Sequence, residues 1–385
     1  MTFNKATVNQ RFTFQKLIRY SLFIILLITF SNKLVAQHEQ EEQTHKKEAF
    51  DPGSFILDHI GDAYQWHIAT FGDFHLSIPL PIIVYSKEKG LNIFMSSKFH
   101  HGHETYKGFH IGKKGEKITE VNSEGKVKQI EVEGDIVEEL ADGTMVKPID
   151  ISITKNVFAL FISAALLLLI FVSVAKAYKR NKGKAPKGLQ SMLEPLIIFI
   201  RDDIAKASIQ KKPEKYMPFL LSIFFFIFLN NILGLVPIFP GGANLTGNIT
   251  ITLVLAVFTF IITTFNGNKN YWQHIVSAPG VPWWLKIPFP LMPIVEIIGM
   301  FTKPFVLMVR LFANMASGHI VELGFYCLIF IFGHKNMFAG YGISLVSTIF
   351  TIFMMLLDLL VAFIQAYVFT LLSALYFGMA TEEHH

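Results

Sequence analysis

Residues 303–319 read KPFVLMVRLFANMASGH, an apolar stretch that carries an arginine, an asparagine and a histidine among residues suited to a buried helix. It lies inside a longer apolar segment, 291–332, and a second such segment, 340–380, follows a short polar turn. As continuous helices each would extend about 60 Å, twice the roughly 30 Å of bilayer hydrocarbon. Such segments either break, at Pro304 or Gly299, or lie at a slant well beyond the usual tilt of about 20°. A slanted hairpin turning near GHKN, residues 333–336, would present a long oblique flank to a neighbour.

Within these two segments sit Glu296, Arg310, Asn314, His319, Glu322, Asp358 and Gln365. An arginine near the middle of a membrane helix costs about 3 kcal/mol on insertion scales, so such groups mark function by default. Lys303 lies nearer the segment's inner end, where its stem can snorkel. Arg310, Asn314 and Ser317 recur on one helical face, with small Ala313, Ala316 and Gly318 around them. Glu296 returns to within about 40° of the Arg310 face, whereas His319 lies roughly half a turn away and points to another neighbour. Asp358, Ala362 and Gln365 share a face of the last segment. In an antiparallel hairpin, Arg310 with Gln365 and His319 with Asp358 fall in nearly one register, close to the one set by the turn. The result is a chain of titratable groups divided by one fixed positive charge. A sugar or amino-acid site would call for more aromatic and amide groups. Protons suit histidine and carboxylates, whose affinities move with burial and neighbours. Arg310 cannot release its own proton, so it blocks and does not relay.

The rest of the chain agrees with a membrane setting. Of its 385 residues 52% are hydrophobic and 16% charged, which does not describe a water-soluble globule. Its formal +5 charge is uneven: residues 37–150 are net acidic and residues 151–385 net basic, a membrane-flank pattern that makes nucleic acid a poor partner. Residues 1–36 combine basic residues, the apolar run YSLFIILLITF and a cut site after Ala36, as in a cleaved signal peptide or a signal anchor. Residues 37–150, with turn signals KEKG, SEGK and ADGT between alternating stretches, read as a small extracytoplasmic antiparallel β domain after a flexible start. Four histidines crowd FHHGHETYKGFH (His100, His101, His103, His110). Without a cysteine or acidic partner at ligand spacing, they read as a solvated loop and not a metal site.

Residues 151–385 form the membrane domain. A span at 154–175 ends in the basic KAYKRNKGKAPKG on the cytoplasmic side. GLQSMLEPLIIFIRDDIAKASIQKK suits a helix lying on the inner surface. Residues 216–236 cross outward and 248–266 cross back, placing Lys269 and Lys286 inside and the C-terminus in the cytoplasm. The fold class is thus an all-α polytopic membrane protein of about five transmembrane helices, the last two long and strongly tilted, with an N-terminal extracytoplasmic small β domain. The single cysteine, Cys327, reads as a buried small hydrophobe. No cofactor or metal is implied. No internal repeat is present, which weakens the case for an inverted-repeat transporter.

KPFVLMVRLFANMASGH and DLLVAFIQAYVFTLLSALYFGMA (358–380) resemble the two signature helices of subunit a of the F-type ATP synthase. LNNILGLVP (229–237) with ANLTGNIT is similar to that family's preceding hairpin, and the inner-surface helix with Phe199, Arg201 and Asp202 is similar too. The likeness covers about residues 154–380. It implies a non-catalytic, proton-translocating stator of the bacterial inner membrane, one copy per complex, set against a ring of c subunits and joined to the b-subunit peripheral stalk and the rest of the synthase. It puts Arg310 at the essential arginine, Glu296 at an inner half-channel acid, Asn314 and Gln365 at polar positions near the arginine, and Asn231 at the asparagine of the earlier hairpin. Relative to the common bacterial pattern, His319 and Asp358 are a swapped acid and base, as in mitochondrial relatives, and Ala313 stands where glycine is common. Glu322 has no counterpart in the pattern: it either widens the outer relay or pairs with His319. The alternatives are an ion-coupled secondary transporter with an exported sensor domain, which predicts transport by the isolated chain, and a membrane-anchored sensor, which leaves Arg310 unexplained.

Overall fold

The computed structural model describes residues 51–382, apart from 72–73, 103, 114, 122–126, 133, 141–142, 237–238, 240 and 277–290. The expected signal peptide, the polar start before residue 51, the SEGK turn, His103 and Lys286 therefore lie outside the described residues.

The turn-rich segment opens on a helix the sequence reading did not anticipate, α1 (Pro52–Ile60). Among the described residues ten strands follow: β1 (Gln65–Phe71), β2 (Phe74–Pro79), β3 (Pro81–Ser86), β4 (Gly90–Met95), β5 (Phe109–Ile111), β6 (Glu116–Val121), β7 (Val127–Val132), β8 (Ile136–Glu139), β9 (Met145–Val146) and β10 (Ile149–Asp150). They pair antiparallel in four small sheets, ordered β1-β2, β10-β3-β4, β5-β8-β9 and β6-β7. Period-two alternation decides which side chains enter the core: Ile82 and Val84 of β3 are fully buried while Tyr85 between Val84 and Ser86 is exposed. These two, with Phe94, Phe99, Phe109 and Ile136, make one apolar cluster. The KEKG turn joins β3 to β4 through Gly90 at φ +66°, a conformation that favours glycine.

The histidine-rich stretch is not a uniform solvated loop, and acidic partners do exist. His110 stands on β5, half-buried, with Nε2 2.7 Å from Glu116 Oε1, and exposed His100 lies 3.6 Å from Glu104. The pairing depends on how β5 and β6 come together, which sequence spacing does not convey. Among the described residues no three His, Cys, Asp or Glu converge as a metal site.

The longer helices that follow among the described residues are α2 (Lys155–Arg180), α3 (Leu189–Phe199, continuing as a π-helical turn Ile200–Ala205), α4 (Met217–Leu235), α5 (Ile249–Phe265), α6 (Lys269–Val276), α7 (Leu291–Lys335) and α8 (Met337–Thr381). Among the described residues, four helices are long and apolar enough to cross a membrane, or five if the pair α5 and α6, bent by 107°, is one span. Thr154 caps α2, its Oγ1 accepting from Val157 N–H, and Asn248 caps α5 through Thr250 N–H. The segment of α3 does not merely lie on a surface. Ile200, Ile204 and Ala205 are fully buried in the core shared with α4 and α8, while Arg201 and Lys206 hold Asp202 on the exposed side. Those two partners keep the Asp202 carboxyl well below the usual carboxylate range. Beyond the turn, Gly378 of α8 abuts the Ser208 carbonyl.

Neither Pro304 nor Gly299 breaks the first long segment. Helices α7 and α8 each run 45 residues, about 68 Å of continuous helix. Asn336 alone separates them and caps α8 by accepting from Phe338 N–H. Gly333 approaches Gly340, Phe325 stacks on Phe350 at 5.5 Å, and Gly318 faces Asp358, so the hairpin keeps the expected register within a helical turn. Cys327 is buried, 2% exposed.

The β-rich segment is seated against the N-terminal end of α2, the α4–α5 loop and the C-terminal part of α7. Lys155 N–H donates to Ala63 O (2.8 Å) and Asn156 N–H to Asp62 Oδ1 (3.1 Å). Trp66 packs edge-on against Phe158 of α2 and Phe239 of the α4–α5 loop. Phe55 of α1 meets Phe330 of α7 at 6.2 Å. Nearby, burial and a hydrogen bond to Asp150 raise the Tyr64 hydroxyl above its ordinary range.

Candidate functional site

The polar residues of α7 and α8 separate into three groups along the hairpin. Toward the turn, His319, Glu322 and Asp358 converge. His319 Nδ1 is 3.7 Å from Glu322 Oε2, and the Glu322 and Asp358 carboxyl groups come within hydrogen-bonding range. Gly318 makes this possible: a Cβ there would stand 3.0 and 3.1 Å from the two Asp358 carboxylate oxygens. His319 points, as its angle on α7 demands, to a different neighbour, with Nε2 3.6 Å from where a Cβ on Gly234 of α4 would sit. His319 Nε2 and Glu322 Oε1 are buried without a hydrogen-bond partner in the structure. Lys155, which the sequence analysis does not single out, donates to Gly61 O at 3.2 Å and lies within electrostatic reach of His319.

The second group is Arg310 with Asn314 and Ser317. All three are exposed on one face of α7, which leaves the guanidinium on the protein surface and not in a buried ion pair. Tyr376 of α8 is within electrostatic reach of Arg310. Asp358, Ala362 and Gln365 are instead buried at 9%, 0% and 5% exposure, so the expected shared face of α8 is turned into the bundle. Asn231 is fully buried behind it: its Nδ2 donates to Ala362 O (3.4 Å) and its Oδ1 accepts from Thr246 (2.6 Å).

The third group surrounds Glu296. It borders a cavity of about 190 Å³ together with Asn270, Tyr271, His274, Lys303 and Glu382. His274 Nδ1 is 3.9 Å from Glu296 Oε1, and Lys303 sits over the Tyr376 ring at 5.6 Å, so this lysine faces the cavity instead of simply snorkelling outward. Tyr271 and His274 were not foreseen. They reach Glu296 only because α6 folds back from α5, and the one signal in the sequence is the mixed polar and aromatic run KNYWQHIV.

Measured along α7, Glu296 lies about 21 Å from Arg310, and Glu322 about 18 Å beyond it on the other side. The arrangement can hold protons at two separated polar places with a fixed cation on an open surface between them.

The sequence profile of the family described as ATP synthase A chain matches residues 157–378, and a domain of unknown function (DUF8433) matches residues 55–151. The chain is similar to "ATP synthase subunit a" of Chloroherpeton thalassium, 46% identical over 243 residues, which is 61% of this chain and 69% of that protein. It is likewise similar to "ATP synthase subunit a 2" of Prosthecochloris aestuarii, 48% identical over 239 residues (60% and 69%), and to "ATP synthase subunit a" of an Anaeromyxobacter species, 38% identical over 271 residues (67% and 62%).

Proposed function

The chain belongs to the ATP synthase A chain family, and from that premise we propose that it is the proton-conducting stator of a rotary F-type synthase, with Arg310 set against a ring of c subunits. As a member of that family it is a non-catalytic membrane subunit that works in complex with other synthase subunits in a bacterial inner membrane. The b-subunit stalk, a single copy per complex and an extracytoplasmic position for residues 37–150 complete the proposal.

The observation that carries it is the exposure of Arg310 on α7 between two separated polar sites, the buried His319–Glu322–Asp358 cluster and the Glu296 cavity. In the proposed cycle a proton enters from outside through the His319 region and neutralises a rotor carboxylate. Only the neutral form turns into lipid at tolerable energy. After nearly a full rotation the carboxyl reaches the inner path near Glu296, where attraction by Arg310 favours release. Arg310 also blocks a direct leak between the two paths. Asn314 and Gln365 support the arginine region, and Asn231 fixes α4 against α8. Each proton crossing 100 mV supplies about 2.3 kcal/mol of work for rotation.

Arg310→Ala tests the proposal. In reconstituted vesicles it should abolish ATP-driven proton pumping while the assembled complex still hydrolyses ATP; preserved pumping would sink the assignment.

A further inference from the structure

Resting on the proton path just described, we propose that Glu322 and Asp358 form a carboxyl pair that stores one shared proton, the one next delivered to the rotor. Both residues are 9% exposed. Their carboxyl groups lie within hydrogen-bonding range, yet ionised carboxylates offer only acceptors, so the approach is attractive only with one proton between them. Glu322 Oε1 is buried with no other partner, which leaves the shared proton as the group that satisfies it. The backbone is shaped for the approach, since any side chain at 318 would press on the Asp358 oxygens.

The low-dielectric surroundings argue against a pair with no proton. His319 Nδ1, at 3.7 Å from Glu322 Oε2, is beyond a direct hydrogen bond, so the imidazole is a neighbour and not a fixed partner. Lys155, anchored by Gly61 and facing Asp62, brings one positive charge within reach of His319. Asp62 already balances that charge, so the pair itself must avoid two bare carboxylates, which would repel in a low-dielectric site.

The transfer step follows. An O–H bond of the pair breaks as one forms on the rotor carboxylate, leaving two adjacent carboxylates. Their repulsion draws a replacement proton from the outside through His319. Glu322 thus serves the reaction by holding the proton that Asp358 hands on, and this assigns a role to the acid that the family pattern lacks.

The test uses the intact complex in membrane vesicles, with Glu322→Gln, Glu322→Asp and Asp358→Asn, each checked for assembly by its ATP hydrolysis. Infrared difference spectra against the unaltered complex should show that Glu322→Gln and Asp358→Asn remove the same single carbonyl band of a protonated carboxyl, while Glu322→Asp keeps it. Proton-driven ATP synthesis should fall about tenfold in Glu322→Gln, equivalent to one pH unit of proton occupancy, and stay within about twofold in Glu322→Asp. If Glu322→Gln leaves band and synthesis unchanged while Asp358→Asn is inactive, the pair is overturned and Glu322 is only a companion of His319. If Asp358→Asn itself synthesises ATP normally, the outer path as a whole is wrong.

Discussion

Two glycines of the α7–α8 hairpin should fail in different ways when each is changed to alanine. At Gly318 the new Cβ would meet Asp358 Oδ1 and Oδ2 at 3.0 and 3.1 Å, a few tenths of an ångström too close, and the obstacle is the end of a side chain. Rotating a carboxylate off its preferred angle costs about 0.5–1.5 kcal/mol, and the alanine returns about 1 kcal/mol of helix propensity. Folding and assembly should therefore change little. Proton transfer tolerates such displacement far less, because a misplacement of about 1 Å can cost about a hundredfold; a few tenths should lower proton-driven synthesis about tenfold. At Gly378 the Cβ would fall 2.0 Å from the Ser208 carbonyl oxygen and 3.2 Å from its carbon, so backbone must move by more than an ångström. Overpacking of that kind costs about 1–3 kcal/mol or more and should appear as lost complex. The assay is paired: subunit retained in membranes by immunoblot, then synthesis per assembled complex under an imposed proton gradient. Gly318→Ala with normal synthesis, or with assembly as poor as that of Gly378→Ala, would refute the reasoning.

Trp66→Ala should loosen the β-rich segment from the helices, since the indole is 4% exposed between Phe158, Ala159, Phe239 and Leu245 and its truncation removes about 3–5 kcal/mol of packing; protease cleavage at 61–64 in intact complexes should rise at least about tenfold, and an unchanged rate would show that Trp66 does not hold the seam. Glu116 is pushed up by burial, but Lys113 N–H at 2.8 Å and His110 at 2.7 Å outweigh that and hold its carboxyl below the usual 4.5. Its contribution is then present above pH 4.5 and lost as pH falls through the lowered folded value. Hydrogen-exchange protection of the β6–β7 hairpin, taken relative to the intrinsic exchange rate at each pH, should therefore be steady from neutral to mildly acidic pH and fall below it, and Glu116→Gln should remove the dependence.

What the sequence discloses follows from how strongly each feature is dictated locally. The α7–α8 hairpin was legible because a bilayer leaves so few places for Arg310, His319 and Asp358, and because Asn336 sits where the polar turn interrupts the apolar run. Their relative register then followed from helical spacing alone. By contrast, α1 carries a start signal in Pro52 at its first position, yet nine residues are too few for periodicity to speak. The Glu296 site was half legible. Glu296 stands out in an apolar segment, whereas His274 and Tyr271 are ordinary residues of a short helix that matters only through the 107° bend. Lys155 was hidden for another reason: a basic residue at the end of a span is expected at an interface, and only its hydrogen bond to Gly61 and its nearness to His319 make it part of the site.

The spacing along α7 also argues for a moving carrier. A proton transferred between fixed groups needs heavy atoms about 3 Å apart, directly or through one water. The steps from Glu296 to Arg310 and from Arg310 to Glu322 are about 21 and 18 Å, and the residue at the midpoint is a guanidinium that neither gives nor takes a proton under working conditions. Together the two steps exceed the hydrocarbon thickness of a bilayer, so in the proposed setting a slanted α7 would bring each polar site toward its own aqueous side without bringing the two toward each other. A static relay built from these residues would be interrupted at Arg310. A carboxyl group on a second body that passes Arg310 by the exposed face of α7 would not be, because it can load beside Asp358, travel neutral through lipid and unload toward Glu296. Under the proposed rotary mechanism, the exposure of Arg310 and the burial of the acid pair are two sides of one requirement: the cation would touch the moving partner, and the stored proton would wait out of water until that partner arrives.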